Sequence, residues 1–333
     1  MHEETPRSRF VVLIVALIEP LVVTLLAIVV SMPLFAIGLF ATALLVENDS
    51  LLGMERKLDV WLTPSDGEAP PALEETRSSI ESTFERVDVI IVPEGETAWR
   101  LFAWIEGDPS GEQLAGVAAR LDELGWDDVV PKLTSQRRFV GMLENPRQIR
   151  AYLPVPMTLQ MFVFIVSAWM MIRWRKPPAF DVVAPPATAL AWGIGAAVTA
   201  FFASMLLAYA SHLAGLDVKE QPWITALMAD RSTLWFFTPW LVLLGPISEE
   251  VFFRGYVFRR LFSTAGPVAA YATSALLFAV IHLYPVGIPM YAVIGLVFCW
   301  VYRKTGSLWA PVIGHVVYNA IGVGIPLLAP PTP

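Results

Sequence analysis

Residues 10–46, FVVLIVALIEPLVVTLLAIVVSMPLFAIGLFATALLV, contain one acid, Glu19, and no base. The run is too long for the apolar core of a cleaved secretory signal, and longer than one crossing of roughly 30 Å of hydrocarbon needs. It is expected to remain in the protein as a span that tilts, or that breaks at Pro33 into a helix and a re-entrant turn. Further apolar runs follow at 155–172, 187–213, 233–247, 267–283, 288–302 and 308–328. Together they predict about seven spans, and the short runs near Thr233 and Ile288 must extend through their flanks or cross only in part.

The composition agrees: 56% hydrophobic with 16% charged residues is not the surface of a water-soluble chain. A net charge of −7 and the lack of long basic runs argue against a nucleic-acid partner. Cys299 is the only cysteine, which excludes an intrachain disulfide and a cysteine metal knuckle. Cations cluster at Arg7/Arg9, Arg173/Arg175/Lys176, Arg259/Arg260 and Arg303/Lys304. If the first run crosses once, all four clusters fall on one side of the bilayer. Cations are retained in the cytoplasm, so the expected orientation is N-terminus inside and C-terminus outside.

Residues 47–154 differ in kind. They hold 21 acids and 11 bases, a net of −10, against about +3 for the rest of the chain. Helical spacing of Leu73, Ile80, Phe84 and Val87 predicts a helix over 73–87, and Leu114, Val117, Leu121 and Leu124 predict a second over 112–124. Strand-like runs lie at 87–92 and 99–105. The expected organisation is an N-terminal transmembrane segment (1–46), an acidic extracytoplasmic α+β insert (47–154), two preparatory transmembrane helices (155–230) and a transmembrane core (231–333). The fold class is mainly α, a polytopic transmembrane helix bundle with a small extramembrane α+β insert.

Polar groups that hydrocarbon should exclude concentrate in the last region, and each one retained there points to function. In Gly245-Pro246-Ile247-Ser248-Glu249-Glu250-Val251-Phe252-Phe253-Arg254, Glu250 and Arg254 share a helical face and should pair, with a structural role. Glu249 is turned about 100° away and is left over. Phe278-Ala279-Val280-Ile281-His282 ends an apolar helix with an imidazole, and Phe278 reads as packing. His315-Val316-Val317-Tyr318-Asn319 directs a histidine and an amide to one side. A lone histidine in a span is more often an interhelix contact than a catalyst, and Glu19 is read as snorkelling or interhelix bonding. Co-occurrence changes this, because an unpaired acid, two imidazoles and an amide can satisfy one another only by converging.

A desolvated carboxylate is suited to taking a proton from water, an imidazole to sharing it, and an imidazole with a carboxamide to holding an oxyanion. That chemistry is peptide hydrolysis. Glu249, His282 and His315 could instead hold a divalent metal such as zinc with an open position, so the cofactor is either such a metal or none.

The three motifs, Glu-Glu-x-x-x-Arg at 249–254, Phe-x-x-x-His at 278–282 and His-x-x-x-Asn at 315–319, resemble in order those of the CPBP intramembrane protease family. That family holds the type II CAAX prenyl endopeptidases and the ABI or bacteriocin-processing homologues. The resemblance covers about 233–328 and implies Glu249 as base, His282 as its partner, His315 and Asn319 at the oxyanion, and Glu250, Arg254 and Phe278 as supports. It implies an integral protein of the bacterial plasma membrane acting on a membrane-associated peptide or protein, with lipid as its surroundings. Members are commonly called metalloproteases, and a metal-free glutamate mechanism fits the same residues. The insert lies outside the resemblance. The site is expected in the inner half of the bilayer, open to the cytoplasm, if the helix of His282 starts after an interfacial stretch at 262–270 and runs past Tyr284, or if a neighbouring segment is broken. A scaffold, a transporter or a receptor-like protein is the competing class, although no inverted repeat is seen.

Overall fold

The computed structural model describes residues 14–27, 54–64, 73–93, 98–127, 129–137, 145–178, 180, 184–216 and 222–328. In chain order the first elements are α1 (Ile14–Ala27), β1 (Met54–Pro64), α2 (Leu73–Glu81), β2 (Val87–Pro93), β3 (Trp99–Ile105), α3 (Gly111–Glu123), β4 (Trp126–Asp127) and β5 (Lys132–Arg137). Then come α4 (Pro146–Tyr152), α5 (Pro154–Arg175), α6 (Pro186–Leu213), α7 (Pro222–Ala229), α8 (Arg231–Thr264), α9 (Gly266–Val280), α10 (Ile288–Thr305) and α11 (Trp309–Leu328). They form two compact units: Met1–Gly38, Pro154–Lys219 and Thr238–Gly324 make one, and Leu39–Leu153, Glu220–Phe237 and Ile325–Pro333 make the other.

The protein is a polytopic helical membrane protein. Among the described residues α5, α6, α8, α10 with the turn before it, and α11 are long and apolar enough to cross a membrane. The described parts of the other two expected spans are shorter. Of residues 10–46 only α1 is described, and Pro33 and the Arg7/Arg9 cluster lie outside the described residues. α9 has 15 residues, about 22 Å of helix, less than the hydrocarbon thickness. The short run near Thr233 does extend, through Glu249 to Thr264, as α8.

Small residues set the helix spacing in the first unit. A Cβ on Gly193 of α6 would meet the Ala310 carbonyl of α11 at 2.7 Å, and one on Gly295 of α10 would meet Ala275 Cα of α9 at 3.0 Å. Such approaches let backbones touch where lipid offers no hydrophobic drive for association. At one end of the bundle Glu19 of α1 accepts two bonds from Arg260, both 3.1 Å, one from Tyr256 at 3.2 Å, and pairs with Arg175 at 2.9 Å. Arg259 donates to the Pro177 carbonyl at 2.6 Å, and Arg303 lies over Phe180 and Phe262. The three described cation clusters therefore share one end, and Glu19 makes an interhelix bond as expected.

The other unit carries an antiparallel sheet in which β3 separates β2 from β1, while β4 and β5 pair with the far edge of β1. Helices α2 and α3 connect strands split in this way, the ferredoxin-like β-α-β-β-α-β topology. Alternation places Leu58, Val60 and Leu62 of β1 in a core with Val89, Leu101, Ala103, Ile80, Val117 and Leu121. The helix expected over 73–87 stops at Glu81, where Ser82 and Thr83 hydroxyls bond the Ser79 carbonyl and close the last turn. Phe84 and Val87 still pack on that core. The second expected helix is present, begun by a capping box in which Ser110 and Gln113 satisfy each other's backbone. Asp230 begins α8 by accepting from Ser232 and Thr233, with Arg150 at 3.6 Å. Burial works to raise its carboxyl, but the Thr233 and Ser232 hydrogen bonds and the Arg150 charge prevail and hold it below the ordinary Asp value.

Candidate active site

α8 is not a uniform helix. π turns at Pro239–Leu244 and Val251–Phe258 flank the regular stretch Gly245–Glu250. The Gly245 N–H donates to the Trp240 carbonyl, five residues back, and a Cβ on Gly245 would sit 2.9 Å from that oxygen. In the same register the Leu241 carbonyl needs the N–H of residue 246, which is proline and has none. Asn319 of α11 fills the gap, its Nδ2 donating to Leu241 O at 2.8 Å. The motif spacing gives Asn319 only an oxyanion role and not this backbone bond; π turns of this kind recur at functional sites.

The predicted Glu250–Arg254 pair forms, with Nη1 donating to Oε1 at 2.8 Å and neither side chain exposed. Arg254 also donates from Nη2 to the Gly295 carbonyl at 3.0 Å and lies 4.6 Å from the Phe278 ring centre and 5.5 Å from that of Phe298. Glu250 has a second task that the spacing did not reveal. Its Oε1 lies 2.9 Å from His315 Nδ1, and a carboxylate only accepts, so Nδ1–H donates. In a neutral imidazole that leaves Nε2 as the nitrogen able to take a proton. His315 is further fixed by Phe298 at 5.0 Å and Phe278 at 5.8 Å.

Glu249 is the acid left over, as the 100° step predicts. Its Oε2 lies 4.0 Å from His315 Nε2, and its side chain keeps 21% of its surface open while that of Glu250 keeps none.

His282 does not end a helix. α9 stops at Val280, and the chain turns through Leu283 at φ 50° before Pro285, instead of continuing past Tyr284. Proline disfavours helical backbone in the residue before it, which is Tyr284, here at φ −123° and ψ 87°. Of the two ways offered for His282 to meet His315, a longer helix or a broken neighbour, the π-broken α8 matches the second. Phe278 bridges the two: its ring is 5.0 Å from His282 and 5.8 Å from His315, and its carbonyl accepts from His282 Nδ1 at 2.8 Å. Tyr291 of α10 stacks face to face on the His282 ring, centres 3.9 Å apart and planes 16° apart. Nothing in the motifs marked Tyr291.

Among the described residues no three His, Cys, Asp or Glu side chains are grouped to hold a metal ion. The set Glu249, His282 and His315 is thus not arranged as a metal site among the described residues.

A membrane-embedded acid and imidazole facing each other, with a buried carboxylate fixing the imidazole, define a class of site suited to moving a proton in hydrocarbon. Residues 231–321, which hold all three motifs, match the family model described as Type II CAAX prenyl endopeptidase Rce1-like. This segment therefore carries an Rce1-like domain, in agreement with the resemblance drawn from the motifs. The chain is also 28% identical over 81 residues to "Putative membrane peptidase YdiL" of Bacillus subtilis (strain 168), an alignment covering 24% of this chain and 33% of that protein. The match spans a third of the relative's length.

Proposed function

We propose that the chain is an intramembrane endopeptidase that hydrolyses a peptide bond of a membrane-associated peptide or protein. The observation that carries this reading is the 4.0 Å gap between Glu249 Oε2 and His315 Nε2. Two hydrogen bonds of about 2.8 Å meeting at one water oxygen span such a gap at roughly 90°. Glu249 takes a proton from that water, and the hydroxide oxygen forms a bond to the scissile carbonyl carbon while the carbonyl π pair moves to its oxygen. The second Asn319 amide hydrogen, beside the one held by Leu241, donates to the oxyanion, while His315 Nε2 accepts from the attacking water and orients it. Collapse breaks the C–N bond, and the proton taken by Glu249 returns through His282 to the leaving nitrogen. Glu250 holds His315 in the tautomer this requires, and Arg254 holds Glu250.

The shared end of the cation clusters supports placing that end, and the N-terminus, in the cytoplasm of a bacterial plasma membrane. The acidic insert then lies outside as a separate α+β unit. About three turns of α8 separate Glu249 from Arg260 at the cation-rich end, which supports a site well inside the bilayer. The test is peptide cleavage by the full chain reconstituted in vesicles. Glu249→Gln is expected to lower kcat by about 10³-fold with thermal stability unchanged. Cleavage retained in that variant overturns Glu249 as base.

A further inference from the structure

His282 is held by no helix of its own, so its ring orientation must come from neighbours. The turn at Leu283 leaves it two residues beyond α9, where backbone hydrogen bonding alone does not fix χ angles. Phe278 supplies a carbonyl at Nδ1 and a ring edge, both from the same helix end. Tyr291 reaches His282 from another helix and covers a whole ring face at 3.9 Å. That approach is enabled by Gly287. A Cβ there would fall 2.3 Å and 2.8 Å from Tyr284 ring atoms and 3.0 Å from Tyr291 Cε2, so any side chain at 287 pushes on both tyrosines.

The consequences are electrostatic as well as steric. With Nδ1–H donated to the Phe278 carbonyl, Nε2 is the proton-accepting nitrogen of neutral His282. When it takes a proton, the imidazolium lies against an aromatic face, which stabilises a cation. The charged and titratable groups around His282 are Glu249 and Arg254 on α8 and His315 on α11. Neither Arg254 nor His315 in its charged form favours a second cation, which leaves Tyr291 and Glu249 as the groups that do.

We propose that Tyr291 is a positioning residue, stacked through the space left by Gly287, that sets the orientation of His282 and steadies its protonated form during proton return. The inference rests on the proteolytic reading for its catalytic meaning, but not for its structural content.

Two readouts on the full chain separate these. Proton-coupled ¹⁵N spectra of histidine-labelled protein report tautomer and titration, with His282 assigned by a His282→Gln control. Tyr291→Leu is expected to mix the His282 tautomers and move its titration to lower pH, whereas Tyr291→Phe, which keeps the stacked face, retains the wild-type pattern. In vesicle cleavage assays Tyr291→Leu should lower kcat at least tenfold with KM changed less than twofold and the pH profile of kcat displaced, and Tyr291→Phe should keep at least half of kcat. Gly287→Ala is expected to repeat the Tyr291→Leu spectrum without removing any functional atom. An unchanged His282 spectrum in Tyr291→Leu overturns the positioning role. A changed spectrum with wild-type kcat overturns its part in proton return. Absence of cleavage by the wild-type chain while the spectral effect stands faults the proteolytic reading instead.

Discussion

Two carboxylate–guanidinium pairs, one in each unit, are built from the same groups and packed against aromatic rings, yet they differ in what surrounds them. Asp59 and Arg100 on the sheet face make two bonds, 2.9 Å and 2.7 Å, with the guanidinium about 5 Å from Trp61 and Phe102, and the side chains stay 17% and 31% exposed. Glu250 and Arg254 make one bond, 2.8 Å, between Phe278 and Phe298, with no exposure at all. The better geometry belongs to the pair that matters less. Where water can replace a lost partner, an ion pair adds little. Where it cannot, removing one member leaves a bare charge, so the pair leans on its further bonds. Here those bonds are the Gly295 carbonyl and His315 Nδ1. The membrane pair is thereby the part that orients an imidazole, which the sheet pair does not do.

The contrast can be broken at three strengths. Arg254→Met should cost about 3–5 kcal/mol, read as loss of folded protein in thermal unfolding in detergent, because it strands Glu250. Asn319→Ala should cost about 1–3 kcal/mol by leaving the Leu241 carbonyl without a donor. Adding Pro246→Ala restores a backbone N–H in the register that carbonyl needs, so the double variant should regain part of the loss in a double-mutant cycle. Strict additivity would show that Pro246 is not the cause of the gap. Arg100→Met should cost less than about 1 kcal/mol and leave peptide cleavage unchanged. Equal losses at Arg100 and Arg254 would erase the distinction between the two pairs.

The membrane architecture was legible because apolar run length is a local property. Helix ends fell close to the predicted ones at α5, α6, α10 and α11. The i, i+4 rule delivered the Glu250–Arg254 pair and the separation of Glu249. What escaped depended on contacts between distant segments. β1 alternates Leu58, Val60 and Leu62 with Lys57, Asp59 and Trp61 and could have been found by its period of two. Glu250 on His315, Asn319 on Leu241 and Tyr291 on His282 join residues 65, 78 and 9 apart. None has a periodic signature, although Pro246 one turn beyond Leu241 was a visible hint that a carbonyl there would need outside help. The hydroxyl-rich Ser78–Thr83 stretch was a similar hint that α2 ends early.

Glu19 bears on biogenesis. A ribosome delivers the chain from its N-terminus, so this carboxylate reaches the translocon long before either Arg175 or Arg260 has been made. Until then the acid has no counter-ion from the bundle, and waits either protonated or drawn toward the headgroups. Arrival of α5 and then α8 supplies the two guanidinium groups in turn, which makes the docking of α1 a late event in assembly and couples it to completion of the helix that carries Glu249.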